Sequence, residues 1–174
     1  TVKTTDIQNA AVVWTGYKIT GASHTGTLEM KSSKLEFENG ILNGGKIEID
    51  MTSLKNTDLE GDYNEKLVVH LNSDDFFSVD KHPTSSFVIS EVNSTDKNNE
   101  YKVTGILTIK GVSKEKKILA KSVTNKNKIT STVNITLDRT KYGVEYGSSN
   151  FFEGLGDKAI QNEFNLDIKI VTPL

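Results

Sequence analysis

The side chains able to do chemistry are few. The chain has 174 residues with three histidines, one arginine and no cysteine. The missing cysteines exclude thiol nucleophiles, Cys-based zinc sites and disulfides. His24, His70 and His82 share no ligand spacing: His24 is expected in a turn, His70 on a helix flank and His82 beside Pro83, so no metal site is expected from them. Asp58-Leu59-Glu60-Gly61-Asp62 imitates the start of a calcium loop, but its glycine is misplaced and its twelfth position is Val69, where a bidentate Glu belongs. It reads better as a helix N-terminus. Gly147-Ser148-Ser149-Asn150 is not a nucleophile elbow, which needs Gly-x-Ser-x-Gly. Gly154-Leu155-Gly156 lacks the third glycine and the preceding strand of a dinucleotide site. Asp74-Asp75 could do acid/base work, but neighbours in a turn are usually solvated or capping. Arg139 has two readings, a structural ion pair or a clamp on an anionic group. Lys18, His24 and Arg139 are the only charged set that could gather inside a fold, and no catalysis is expected.

The elements that must position these residues are mostly strands. Tyr101, Val103, Gly105, Leu107 and Ile109 alternate with Lys102, Thr104, Ile106, Thr108 and Lys110, the pattern of a strand with one dry face. Ala10 to Ile19 is an apolar first strand, and Gly21, Ser23 and Gly26 mark the turn after it. A second strand spans Thr27 to Glu38, with a phase shift at Ser32-Ser33 that fits a bulge. Asn39-Gly40 signals a hairpin, Asn43-Gly44-Gly45 a second turn, and Lys46 to Met51 a third strand. Thr57 to Leu71 carries the one helical pattern, with Leu59, Tyr63, Leu67 and Leu71 as its stripe and acids at its start. Strands follow at Thr84 to Val92, Tyr101 to Lys110, Lys116 to Val123, Lys128 to Asp138 and Phe164 to Ile170, with one short helical turn at Asp157 to Asn162.

Eight strands with short connections make a sandwich or a closed antiparallel barrel; their even number, their length and the single helical insert favour a mainly β, eight-stranded barrel. The inward set is Trp14, Phe37, Ile47, Ile49, Phe87, Ile89, Leu107, Ile109, Val133, Ile135, Phe164, Leu166 and Ile168. Two readings of it stay open: these side chains fill one another's space, or they enclose one small ligand. Phe76-Phe77, just beyond the helix, is a gate or a permanent plug at one barrel end. Tyr142 to Phe152 is the candidate for the other mouth, with Tyr142, Tyr146, Phe151 and Phe152 as an amphipathic rim.

Composition bounds the partners. Hydrophobic residues make up 35% and charged residues 25%, the balance of a globular chain that forms one domain over 1–174, with its core at about 10–172. A net charge of −2 gives no basic face for nucleic acid. No apolar run reaches the length of a membrane-spanning helix.

Several fragments together resemble the YceI-like family of bacterial polyisoprenoid-binding proteins. They are Trp14 in the early aromatic strand, Ile49-Asp50-Met51-Thr52-Ser53-Leu54, Asp74-Asp75-Phe76-Phe77, His82-Pro83, Gly105 to Val112, and Asp138-Arg139-Thr140-Lys141-Tyr142-Gly143-Val144, in the family's order along nearly the whole chain. The resemblance implies a lipocalin-like barrel that binds a long-chain isoprenoid or similar amphiphile without covalent chemistry, in the periplasm or outside the cell, with any leader lying outside this chain. It implies no cofactor beyond a bound polyisoprenoid, quinone or other lipid. A transient membrane contact and a homodimer are both compatible with it. The family often carries a histidine in the first strand where this chain has Lys18, a cation suited to a phosphate head. The expected ligand-binding set is Trp14, Lys18, Phe37, Ile47, Ile49, Leu67, Leu71, Phe76, Phe77, Phe87, Ile89, Leu107, Ile135, Tyr142, Phe152, Phe164 and Leu166. A fatty-acid carrier, a lipid-acting enzyme and a packed barrel with no ligand are the alternatives. Gly-x-Trp, the early lipocalin signature, is absent: the order here is Trp14-Thr15-Gly16.

Overall fold

A computed structural model describes residues 2–173. Ten strand segments run in chain order: β1 (Val2–Asp6), β2 (Asn9–Lys18), β3 (Ser23–Met30), β4 (Lys34–Glu38), β5 (Ile41–Asn56), then α1 (Gly61–Asn72), β6 (Thr84–Ser94), β7 (Glu100–Ile109), β8 (Val112–Asn125), β9 (Lys128–Asp138) and β10 (Ile160–Pro173). All pairings are antiparallel, and β5–β6 closes the ring β5-β3-β2-β10-β9-β8-β7-β6. The closed eight-stranded barrel expected from the alternation is the fold.

The two surplus segments have a simple origin. β4 continues β3 along the same edge of β5, with a break at Lys31–Ser33 where the bulge was expected; the Ser33 side chain fills it by accepting from the Glu48 N–H at 2.9 Å. β1 likewise continues β2 across Ile7 and Gln8 and pairs with β4, so the two extend the wall beyond one barrel end.

Two expected turns are corrected. Asn43-Gly44-Gly45 lies inside the continuous β5, because its glycines serve close approach rather than reversal. A Cβ on Gly45, whose φ is 138°, would stand 2.4 Å from the Lys34 carbonyl oxygen on β4. Gly26 and His24 lie in β3, not in the turn; a Cβ on Gly26 would meet the Lys55 carbonyl oxygen at 1.8 Å and the Trp14 ring at 2.4 Å. The Trp14 indole therefore lies over bare backbone, and its Nε1–H donates to Lys55 O at 3.2 Å.

The helix is shorter than its pattern. Asn56 accepts from the Leu59 N–H, and Asp58 accepts from the Thr25 N–H, so the short polar side chains hold 57–60 as a loop and the helix starts at Gly61. Tyr63 is 74% exposed and drops out of the expected stripe; Leu67, Val68 and Leu71 form the packing face. The expected turn of helix at Asp157–Asn162 is a 3-10 turn, Gly156–Lys158, after which the chain is already in β10. A second 3-10 turn, Arg139–Tyr142, ends β9, where the Asp138 carboxylate accepts from the Thr140 N–H at 3.0 Å.

The core divides by height. Leu35, Phe37, Leu42, Val103, Ala120, Ile129 and Ile170 fill the end toward β1 and β4. Trp14, Leu54, Leu71, Phe76 and Val144 pack beneath α1 at the opposite end, adjoined by Ile109, Leu137 and Tyr142. The close fit at Gly26 yields a test: Gly26→Ala should lower stability by about 1–3 kcal/mol through overpacking, read as a lower midpoint in urea with an unchanged slope. Wild-type stability would show that the Trp14 contact is slack.

Candidate functional site: an apolar cavity in the barrel

Between the two packed ends lies a cavity of about 390 Å³, within the usual range for small-molecule sites. Its wall follows from strand alternation. Val12, Trp14 and Gly16 of β2, Ile47, Ile49 and Met51 of β5, Phe87 of β6, Leu107 and Ile109 of β7, Val133, Ile135 and Leu137 of β9, and Phe164, Leu166 and Ile168 of β10 all turn the same way. Leu67 and Leu71 reach it from α1. Such a lining offers a guest dispersion and dehydration, with few hydrogen-bonding groups.

Thirteen of the seventeen residues expected at a ligand site border this cavity: Trp14, Lys18, Ile47, Ile49, Leu67, Leu71, Phe76, Phe77, Phe87, Leu107, Ile135, Phe164 and Leu166. The other four stand elsewhere. Phe37 and Ile89 belong to the packed end, because the barrel narrows to solid contact there. Tyr142, expected on a rim, is only 4% exposed and packs with Ile109 and Leu137; burial pushes its phenol pKa upward. Phe152 is 49% exposed on the loop outside. Sequence reading missed Val12, Leu28, Leu54, Ile118 and Ile160 on the wall. Val12 shares parity with Trp14 and could have been found; Leu54 could not, because the β3–β5 register slips between Thr27 and Glu29 and resets which residues face in.

The helix end is closed by stacked rings. Phe76 meets Phe77 edge-on at 5.3 Å between centroids, Phe77 meets Phe164 at 6.4 Å, and His70 lies against both Phe76 and Tyr146. Arg139 caps this stack, its guanidinium 5.3 Å from the Phe76 centroid. It is 2% exposed and donates from Nε to Gln161 O at 3.0 Å, from Nη1 to Val144 O at 2.9 Å and from Nη2 to Ile160 O at 3.2 Å. Among the described residues no carboxylate lies within ion-pair distance of it. The structural ion pair is thus replaced by three carbonyls that tie the loop after β9 to the start of β10. Burial lowers the guanidinium pKa, and nearby Asp138 partly offsets this.

Polar groups reach the cavity at the same end. Lys18 and Gln161 are joined by a bond from Gln161 Nε2 to Lys18 O at 3.3 Å. His24 Nδ1 lies 2.8 Å from Asp58 Oδ2, while Asp58 Oδ1 accepts from the Thr25 N–H and from the Asn56 amide. Lys18, His24 and Arg139 do therefore border one cavity, with His24 and Arg139 both engaged by other groups. Among the described residues no three His, Asp or Glu side chains gather as a metal site, and no helix is long and apolar enough to cross a membrane.

Comparison with known proteins agrees with this architecture. A model of the YceI-like domain matches residues 4–172, and the chain belongs to the YceI-like family. The crystal structure of Burkholderia cenocepacia BcnA superposes with a TM-score of 0.77 at 19% identity, over 96% of this chain and 98% of that one. A polyisoprenoid binding domain from Saccharophagus degradans, implicated in plant cell wall breakdown, gives 0.72 at 11% identity, over 99% of each chain. The YCEI protein of Campylobacter jejuni gives 0.65 at 22% identity, over 84% and 81%. Such identities show a shared fold. No curated protein sequence matches the chain.

Two outcomes follow from the polar pins. Arg139→Ala should cost about 2–4 kcal/mol, since it strips charged donors from three carbonyls and leaves a void over Phe76, and Arg139→Lys should restore only part of this in a urea titration. At Asp58, burial works to raise the pKa, but bonds from His24, Asn56 and the Thr25 N–H outweigh it and hold the value below 3.8. A depressed carboxylate stabilises the fold above its unfolded pKa and loses that contribution as pH falls through the folded one. Asp58→Asn should therefore melt lower than wild type at neutral pH, with the gap closing below about pH 4. A gap constant with pH would remove the charge of Asp58 from the account.

Proposed function

We propose that this YceI-like barrel binds a long-chain isoprenoid or similar amphiphilic lipid in its interior, and sequesters or carries it without covalent chemistry. The observation that carries this reading is the cavity itself: a space of about 390 Å³ walled almost wholly by aliphatic and aromatic side chains. Water gains little there and hydrocarbon gains much. One structural neighbour is described as a polyisoprenoid binding domain, which supports the same ligand class here. A periplasmic or extracellular setting belongs to the proposal on the strength of the family alone.

The energetics suit a tail rather than a head. A tail of two or three isoprene units brings about a dozen carbon-sized groups against this wall. At ~0.8 kcal/mol each, their burial is worth roughly 10 kcal/mol gross, set against association and ordering costs of about 4–15 kcal/mol. The enclosed carbons alone give modest affinity, so further burial matters. A fatty-acid carrier is the second reading, because the same wall accepts straight chains as well as branched ones.

Native mass spectrometry of the freshly purified protein tests the proposal, with an adduct of several hundred daltons as the expected result. A clean apo mass, together with no uptake of a quinone or polyprenyl phosphate, would overturn it. Competition between a fatty acid and an isoprenoid separates the two readings. Leu107→Trp, which fills the mid-height of the cavity, should weaken isoprenoid binding about tenfold, the equivalent of ~1.4 kcal/mol.

A further inference from the structure

The cavity wall is stitched unevenly. β8 is bonded to β7 along its length, from Ile109 opposite Val112 to Glu100 opposite Lys121. It meets β9 only from Ala120 opposite Val133 to the hairpin at Asn125 and Lys128. β9 runs on to Asp138 with β10 alone as its partner. Residues 112–119 and 134–138 therefore lie on facing edges with no ladder between them. Had the register continued, Ile118 would stand opposite Ile135 and Lys116 opposite Leu137; all four instead border the cavity. The result is a slot in the hydrogen-bond ladder, covered toward the helix where Val112 packs on the cluster of Ile109, Leu137 and Tyr142.

A slot of this kind differs from an irregular seam whose gap is filled. Between β3 and β5 the slipped register is filled by Ser53, which accepts from the Glu29 N–H and donates to Asp50 O. At β8–β9 the strands can part further without breaking any ladder bond, whereas widening a paired seam exposes bonded N–H and C=O groups. Outside, a groove crosses the point where pairing stops, its apolar floor given by Ala11, Val13 and Leu119 and its margins by Asn134 and the charged Glu100, Lys121, Asp167 and Lys169. Val133 and Ile168 touch both this groove and the cavity. Leu119 is 56% exposed there.

We propose that the slot between β8 and β9 is a lateral passage for hydrocarbon, through which a tail too long for the cavity leaves the barrel and lies along the outer groove beside Leu119. The inference rests on the lipid-binding reading and deepens it. The polar residues Lys18, His24 and Gln161 border the cavity where β2, β3 and β10 meet under the helix, so a head held there and a tail leaving between β8 and β9 occupy different parts of the wall. Ligand length is then limited by the outer groove rather than by the cavity.

The test closes the slot from outside, at positions that do not line the cavity. Lys117→Cys with Thr136→Cys places two thiols across it, to be joined by oxidation or by a short bifunctional thiol reagent. Ser122→Cys with Ser131→Cys is the control, because these strands are already paired and the two hydroxyls lie 2.8 Å apart. Affinities for a geranyl and an octaprenyl phosphate probe are compared between the bridged and reduced forms of each variant. Bridging at Lys117 and Thr136 should weaken the octaprenyl probe about tenfold or more, spare the geranyl probe, and reverse on reduction where a disulfide is used. The control bridge should change neither. Equal affinities before and after bridging, or equal loss for both probes, overturn the passage. Failure of the unmodified protein to bind either probe counts instead against the lipid-binding reading.

Discussion

Closure of an antiparallel ring governs everything else in this molecule. Once eight strands join edge to edge, the circumference is set by the backbone, and side chains must deal with whatever interior remains. At the β1–β4 end, Phe37, Leu42 and Ile129 are bulky enough and close enough to meet. At the helix end, the Phe76, Phe77 and Phe164 rings do the same. Between them the wall carries aliphatic groups such as Ile49, Leu107 and Ile135, and the space they border stays open. The cavity is thus the remainder of a geometric constraint, made useful by a lining without polar demands.

The bonded charges at the helix end serve architecture. Arg139 is buried without a carboxylate and is stabilised instead by carbonyl dipoles and an aromatic face, which suits a place where a loop must be held against a strand. His24, Asp58 and Asn56 make a second web that fastens the approach to α1 onto β3. α1 is therefore anchored at its approach by polar bonds and along its inner face by Leu67, Val68 and Leu71. Both anchors stand beside the cavity without intruding on its apolar middle.

What could be read in the sequence was what obeys a local period. The alternation of Val103, Gly105, Leu107 and Ile109 gave the strand and its face, and the same rule found most of the cavity wall. It failed where a distant partner decided the outcome. Gly44-Gly45 looked like a turn because nothing nearby shows that β4 must press against that backbone. Tyr63 fitted the helical stripe, but the packed face is set by how α1 lies on the barrel, and the tyrosine points to solvent. Tyr142 and Phe152 look alike as rim aromatics in sequence, yet Tyr142 is buried at the end of a 3-10 turn and Phe152 is exposed in the loop beyond. Arg139 was legible as exceptional, since it is the sole arginine, but its carbonyl partners belong to an irregular loop with no period to read.

The seam between β2 and β10 has a kinetic consequence. Trp14 near the start of the chain is paired with Leu166 near its end, so the ring cannot shut until the final strand has been made. Contacts so distant along the chain are slow to form. A nascent chain spends that interval as an unclosed sheet with its greasy side bare, open to chaperones and to aggregation alike. Completion is a single late event, and a truncation that removes β10 takes away the clasp rather than one stave of eight.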